Sequence, residues 1–217
     1  MSNRYVIHAC PERMWYVNDY LLPSLNSQGI HDIDIYCDWA RLGNLNSCMR
    51  IFGCMGGEGS AWHLQDDVLV CGDFKERTEE YLDGGKIVCG FVWRISQDIT
   101  ITKPLTMGYS FPCICIPNKI ARECAKWFYE KAVFDPKCLD WVSQGICDDE
   151  VFKEFLIQNY PDEDILHLKP SLVEHVDYLI GGSTVNPQKT IKTKAKYFND
   201  KHLVERLENE LRSKNRL

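Results

Sequence analysis

The sequence predicts an α/β protein in which short buried strands alternate with amphipathic helices. Apolar runs of strand length recur along the chain, apolar residues at helical spacing separate them, and glycine or proline marks many of the boundaries. With 217 residues, 45% of them hydrophobic and 26% charged, the chain suits one globular domain with a substantial core, although two small domains would also fit.

The predicted elements follow one another in a regular order. Strand signals cover residues 5–9, 33–38, 62–65, 86–93, 111–116 and 165–168. Helix-spaced apolar residues predict a helix that Gly29 ends, and further helices over residues 44–55, 73–81, 117–129 and from residue 148 onwards. Residues 100–110 have the composition of a loop, in which Met107 and Tyr109 are suited to lining a pocket.

A paired acid interrupts the apolar run between Trp62 and Val70. Asp66 and Asp67 follow a predicted buried strand, and ligands of open α/β sheets bind at the carboxyl ends of strands. Two adjacent, partly desolvated carboxylates repel each other, so they need a cation, a proton or a strong donor. A divalent metal ion that also holds a phosphate meets this need, and a simple acidic turn between two elements is the alternative.

A second acidic group opens a predicted helix. Asp148, Asp149 and Glu150 precede a run with apolar residues at helical spacing. Acids in a first helical turn stabilise the helix through its macrodipole, but they also present a carboxylate from a rigid element, as a general base requires. His175 is the other candidate ligand, although a lone histidine is more often structural.

The cysteines and the chain start predict a reduced cytosolic protein. The eleven cysteines include no pair at the Cys-x-x-Cys spacing of structural zinc sites, and an odd number argues against a disulfide framework. We expect buried thiols, with a reactive thiol as a minor alternative. The N-terminus does not read as a signal peptide, and no apolar run is long enough to cross a bilayer.

The charge is distributed unevenly along the chain. Residues 186–217 hold nine Lys or Arg and four Asp or Glu, a charge of +5, so the remaining body carries −11 within the total of −6. A basic tail on an acidic body can contact a polyanion or a membrane surface, and a solvated helix face is the alternative.

Taken in this order, the motifs resemble those of metal-dependent glycosyltransferases of the GT-A fold. The resemblance rests on Asp66-Asp67 after a strand, the helix start at residues 148–150 and residues 170–175 (Pro-Ser-Leu-Val-Glu-His). Residues 6–13 resemble that family's first strand and nucleotide-binding loop, and in size the chain is similar to small glycosyltransferases of phages and prophages. The resemblance covers roughly residues 4–183. It implies a single Rossmann-like domain at residues 1–185, with a mixed, mainly parallel sheet flanked by helices. The charge distribution adds a predicted basic helical extension at residues 186–217.

The resemblance also implies a metal and donor site. Gln65, Asp66 and Asp67 stand where the family has its Asp-x-Asp motif, with Gln65 in place of the first acid. Asp67 would bind Mn²⁺ or Mg²⁺, and His175 matches the histidine that completes the metal shell in relatives. Asp66 would contact the ribose or the sugar of the donor. Because Gln65 replaces the first acid of that motif, the metal geometry of the family does not carry over directly to this chain.

The nucleotide and catalytic residues are implied in the same way. His8, Ala9, Pro11 and Arg13 would surround the nucleotide, and Asp149 matches the catalytic carboxylate of inverting members. Asp148 is its rival for that role.

The predicted function is inverting transfer of a hexose, glucose first, from a UDP-sugar to a hydroxyl group. A metal-held diphosphate is a good leaving group, and a carboxylate on the opposite face removes the acceptor's proton. A hydroxymethylated pyrimidine in phage DNA is one acceptor, which the basic tail would help to bind in the host cytoplasm. A saccharide or protein acceptor, a non-catalytic nucleotide-binding module and a metal-dependent phosphohydrolase or nucleotidyltransferase are the alternatives.

Overall fold

The computed structural model of the chain describes residues 4–92, 100–108, 111–132, 148–182, 195, 197–214 and 216. Within these residues the strands are β1 (Tyr5–Ala9), β2 (Ile33–Cys37), β3 (Ser60–Gln65), β4 (Val68–Val70), β5 (Ile87–Cys89), β6 (Ile101–Thr102), β7 (Cys113–Pro117), β8 (Ile165–His167) and β9 (Val173–His175). All six predicted strand regions contain one of these strands.

The helices also lie close to their predicted positions. They are α1 (Met14–Tyr16), α2 (Leu22–Ser27), α3 (Asn44–Cys54), α4 (Phe74–Thr78), α5 (Asn118–Ala132), α6 (Asp148–Asn159) and α7 (Lys201–Ser213). A π-helical turn (Val17–Leu21) joins α1 to α2 without a break, and Gly29 then ends the helical stretch in a left-handed conformation with φ of 77°.

Seven strands form the central sheet, in the order β2-β1-β3-β7-β5-β8-β6. The pairs β1–β2, β1–β3 and β5–β8 are parallel, while β7 and β6 pair antiparallel with their neighbours. Five strands therefore run in one direction and two in the other. This confirms the predicted α/β class with a mixed, mainly parallel sheet flanked by helices.

The core has two parts because neighbouring strand residues point to opposite faces of the sheet. On one face Ile7 and Trp62 pack among residues from α2, α4 and α7. On the other face Val6 and Ala61 pack among residues from α3, α5 and α6. Strands covered on both faces account for the continuous apolar runs in the sequence.

A second, two-stranded sheet is the main feature that the sequence reading missed. Strands β4 and β9 pair antiparallel, with Val68 opposite His175 and Val70 opposite Val173. Each strand has only three residues, too few for a reliable alternation pattern. Their pairing brings the region around residue 175 to the acidic turn.

The region around residues 100–108 also differs from its prediction. A short strand, β6, forms where a loop was expected, and the side chain of Met107 is buried in the core instead of lining a pocket. The expectation for Tyr109 lies outside the described residues.

The C-terminal helix α7 packs on the body of the protein. Leu207 and Leu211 are buried in the same core cluster as Ile7, and Phe198 precedes them there. The predicted division near residue 185 falls outside the described residues and stays a prediction.

Two further expectations concern cysteines and membranes. The nine cysteines in the described ranges are all free thiols. Across the described part of the chain, no helix combines the length and apolar character that a bilayer crossing requires.

Candidate active site

The paired acid forms a tight turn between the two sheets. Strand β3 ends at Gln65, Asp66 and Asp67 make the turn, and β4 begins at Val68. Both carboxylates are buried, with 4% and 5% of their surface exposed. Two buried anions side by side require opposite charge nearby.

Arg13 supplies much of that charge. A short helical turn, Pro11–Arg13, follows β1 and places the buried guanidinium beside the acids. Its Nη1 donates to Asp66 Oδ1 at 2.9 Å and also to Asp67 Oδ2, and its Nη2 donates to the Gly182 carbonyl at 2.6 Å. Asp66 Oδ2 accepts the Cys10 backbone N–H at 2.7 Å. The exit of β1 is thus tied to the end of β3.

His175 reaches the same carboxylate from β9. Its Nε2 lies 3.2 Å from Asp67 Oδ2, and its Nδ1 lies 3.5 Å from Asp177 Oδ1. The Val176 N–H donates to the Asp67 carbonyl at 2.8 Å, which continues the pairing of β4 with β9. Asp67 and His175, which were predicted to share a metal ion, therefore meet at one point with Arg13, which was predicted to contact the nucleotide.

The charges at this point shift one another's pKa values. Burial opposes ionisation of Asp67, but His175 and Arg13 more than offset it and lower the pKa of that carboxyl. Burial lowers the pKa of His175, but the carboxylates of Asp67 and Asp177 more than offset this and raise it to about 9. The pKa of Asp66 is raised by burial and by Asp67, against the effect of Arg13. At neutral pH the site holds an ionised Asp67 between two cations.

The second acidic group adjoins the first through Gln65. Gln65 Nε2 donates to Asp148 Oδ2 at 3.5 Å, at the start of α6. Asp148 is buried, which raises its pKa to about 6, whereas Asp149 is half-buried and has its pKa raised by burial and by Asp148. Gln65, which replaces the first acid of the family's Asp-x-Asp motif, thus contacts one candidate base directly.

The other predicted nucleotide residues lie around the end of β1. The side chains of His8 and Ala9 are buried, and Pro11 is half-buried at the start of the helical turn. The His8 ring packs against His63, with ring centroids 5.6 Å apart. Nucleotide contacts of these residues stay predictions.

The acidic turn offers ligand atoms of the kinds that a divalent metal ion binds. Asp67 Oδ1 is buried and has no hydrogen-bond partner among the described residues, so it is available as a ligand. Asp67 and His175 offer two ligands, and Asp66 does not join them in a compact group of three within the described ranges. Mg²⁺ bound by few protein ligands takes the rest from phosphates and water. His175 has to lose its proton to ligate, so metal binding would release one proton.

Some residues of the site were not predicted. The Gly182 carbonyl and the Cys10 N–H bind Arg13 and Asp66 through backbone atoms, which carry no side-chain signal. Asp177 pairs with His175. An acid two residues after a candidate ligand histidine is a sequence feature from which this pair could have been predicted.

Comparisons with known proteins add only distant similarities. No protein-family profile and no curated protein sequence matches the chain. Among solved structures, HddC from Yersinia pseudotuberculosis aligns with a TM-score of 0.34 and 14% identity, over 55% of this chain and 78% of that one.

The glycosyltransferase GlyE of Streptococcus pneumoniae TIGR4 aligns over more of the chain. The TM-score is 0.46 with 13% identity over 99% of this chain, and its apo form gives 0.39 with 11% identity over 100%. The chain spans 64% of the length of GlyE in both cases. At such identities and TM-scores, function has to be inferred from the site itself.

Proposed function

We propose that the protein is a metal-dependent, inverting glycosyltransferase that moves a hexose from a UDP-sugar to a hydroxyl acceptor. The observation that carries this proposal is the convergence of Asp67 and His175, 3.2 Å apart, beside a second acidic group at the same edge of the sheet. One group suits a metal-bound diphosphate and the other suits proton removal from an acceptor.

In this proposal Asp67 and His175 hold Mn²⁺ or Mg²⁺. The bound ion supplies charge that stabilises the departing nucleoside diphosphate. Asp66 keeps Arg13 in place through the 2.9 Å hydrogen bond, and Arg13 in turn orients Asp67. Both oxygens of Asp66 are already engaged, so a contact of Asp66 with the donor requires one of these bonds to be shared.

Asp149 is the proposed general base and Asp148 its positioning neighbour. The half-buried carboxylate of Asp149 is the more accessible of the two, and the Asp149 N–H donates to Asp148 Oδ1 at 3.2 Å. Its raised pKa favours a base that accepts a proton readily, as removal of a hydroxyl proton requires. Asp148 is held by Gln65, so Gln65 helps to align the pair.

The first experiment measures sugar release and transfer from UDP-glucose with Mn²⁺. We expect Asp67→Asn and His175→Gln to lower metal-dependent turnover by roughly 100-fold or more, because the leaving group loses its counter-charge. His31→Gln, at an exposed histidine, is the matched control. Full metal-dependent turnover in Asp67→Ala would rule out the assignment.

The products of the same assay separate the alternative classes. Release of free sugar supports a glycosyltransferase, whereas release of phosphate or pyrophosphate indicates a hydrolase or nucleotidyltransferase. A thermal shift with UDP and Mn²⁺ but no turnover with any donor indicates a non-catalytic nucleotide-binding module.

The acceptor proposal is a hydroxymethylated pyrimidine in DNA, with a saccharide or protein hydroxyl as the alternative. The excess of basic residues after residue 186 supports DNA, since phosphate contacts dominate DNA affinity. Several described basic residues, however, already pair with acids, for example Arg212 with Glu208 and Arg216 with Asp19.

A charge-neutralised variant tests the acceptor. We expect substitution of Lys189, Lys192, Lys194 and Lys196 by Gln to weaken DNA binding. The slope of log K against log salt concentration should become shallower by about 0.9 for each lost phosphate contact. Donor hydrolysis should persist. DNA binding that is unchanged across salt concentrations would favour the other acceptors.

A further inference from the structure

A group of buried metal-ligating side chains lies away from the acidic turn. His8 at the end of β1, His63 in β3 and Cys48 in α3 offer ligand atoms that all lie within 4.8 Å of one another. All three side chains are at least nine-tenths buried, with His63 and Cys48 fully so. The two histidines come from adjacent parallel strands, in which Val6 stands opposite His63 and His8 opposite Gln65.

The imidazole of His63 lacks partners for its nitrogens. Neither Nδ1 nor Nε2 makes a hydrogen bond of ordinary geometry to the described residues, although the Phe111 backbone interacts weakly with the ring. The ring is enclosed by Phe52 and Phe111, with centroids 5.7 and 5.9 Å away, and by His8. His8 Nδ1 is also buried without a partner in the described ranges. Unpaired polar atoms in an apolar core are unfavourable, and a bound ion would remove this cost.

We propose that His8, His63 and Cys48 bind a structural Zn²⁺ ion. Two imidazoles and a thiolate are the ligand types that zinc prefers, and they are poor ligands for Mg²⁺. Tetrahedral zinc separates its ligand atoms by about 3.5 Å, so the group has to contract by about 1.3 Å at most. The Cys48 thiol loses its proton to the solvent as the zinc–sulfur bond forms.

A water molecule would supply the fourth ligand. The Asp148 carboxylate is hydrogen-bonded to Cys48 but does not belong to the group of ligand atoms that lie within 4.8 Å of one another. The ion would join β1, β3 and α3 beneath the carboxyl end of the sheet. The site is separate from Asp67 and His175 and does not depend on the proposed transferase activity.

A second group of possible ligands consists of Cys71, Asp73 and Asp200, and both of its acids already have partners within the protein. Arg77 Nη1 lies 3.8 Å from Asp73, and the Gly72 N–H donates to Asp200 at 2.8 Å. Two of its members are more accessible to water than any member of the histidine group.

The test is the zinc content of the purified full-length chain after reconstitution with Zn²⁺ and desalting. We expect about one zinc per chain in the wild type and roughly tenfold less in Cys48→Ser and His63→Gln. Cys54→Ser changes an exposed cysteine on the same helix and should retain the wild-type content. Asp67→Asn should retain it as well, which keeps this proposal distinct from the proposed function.

Cobalt substitution provides a second readout, and its first result comes from the wild type alone. Co²⁺-loaded wild type should show a thiolate-to-cobalt charge-transfer band, which Cys48→Ser lacks and Cys54→Ser keeps. Wild-type protein without stoichiometric zinc, or without the cobalt band, overturns the proposal. Loss of zinc in Cys71→Ser but not in Cys48→Ser overturns it too, because the ion then lies at the other group.

Discussion

Arg13 supplies the positive charge that allows two adjacent acids to be buried in the folded protein. The acidic pair was expected to need a cation, a proton or a strong donor, and the guanidinium acts as both cation and donor. Neutralisation of the pair therefore does not depend on a metal ion. A metal ion at Asp67 has to share this carboxylate with Arg13, through the oxygen that Arg13 does not contact.

Arg13→Met should strongly destabilise the fold. The change leaves Asp66 and Asp67 buried without the guanidinium, and loss of one partner of a buried ion pair costs about 3–5 kcal/mol. Urea unfolding measures the effect, and Asp66→Asn in the same chain should recover part of it. Arg41→Met, which removes only an exposed pair with Glu12, is the control and should change stability little. A loss in Arg13→Met as small as in the control would contradict this role.

His167 links stability to pH. Burial, and secondarily Lys169, lowers its pKa to about 4, and its Nε2 is hydrogen-bonded to Thr102 Oγ1 at 2.8 Å. The unfolded chain takes up this proton below pH 6.5 but the folded chain does so only near pH 4. The contribution to stability is thus complete above about pH 6.5 and is lost as pH falls towards 4.

The variant His167→Gln should lose less stability on acidification than the wild type. Between pH 7 and pH 5 we expect the free energy of unfolding to fall by roughly 1–2 kcal/mol less in the variant. Urea unfolding of both proteins at the two pH values measures this difference. Equal losses would show that His167 does not take part.

Among the elements, the short strands β4 and β9 decide where the site residues meet. The pairing of Val68 with His175 sets the histidine beside Asp67. His175 is the third and last residue of the short strand β9. The residue after strand β5, Gly90, is hydrogen-bonded to the segment that leads into β9. Gly90 donates its N–H to the Cys113 carbonyl at 2.8 Å and accepts from Leu172, which leads into β9.

Gly90→Ala should destabilise the protein by about 1–3 kcal/mol, as overpacking of a filled core does. A Cβ atom there would lie 2.6 Å from Cys113 Sγ and 2.9 Å from Leu172 Cδ1, closer than real contacts allow. Gly53→Ala is the opposite case, since its Cβ would meet Ala125 at an ordinary 3.7 Å and it lies in α3. That change should stabilise by up to about 1 kcal/mol. Thermal unfolding of both variants tests the pair, and a stable Gly90→Ala would argue against this packing.

At the scale of the whole molecule, both ends of the chain contribute to the same structure. Arg13 binds the Gly182 carbonyl, and helix α7 covers the helical stretch that contains Trp15. Arg216 lies 4.6 Å above the Trp15 ring and 2.9 Å from Asp19. Part of the basic C-terminal segment is therefore used within the protein.

Leu211→Ala should lower the free energy of unfolding by about 2–5 kcal/mol, because the side chain is fully buried in the core cluster. Chemical denaturation measures this, with Arg212→Ala at an exposed position of the same helix as control. A loss no larger than in the control would mean that α7 is dispensable. The same packing makes deletion of residues 186–217 a poor test of DNA binding, since it would remove Phe198, Leu207 and Leu211 from the core.

The sequence by itself determined the features that depend on local periodicity and local charge. The strand and helix order, the acidic pair at the end of β3 and the acidic start of α6 follow from neighbours a few residues apart. Only the tertiary structure decided which distant residues meet. The contacts of Arg13 with Asp66 and Gly182, of His175 with Asp67, and of His8 with His63 join residues from separate elements. Such contacts depend on strand pairing and on packing across the sheet, and these leave no fixed spacing in a sequence.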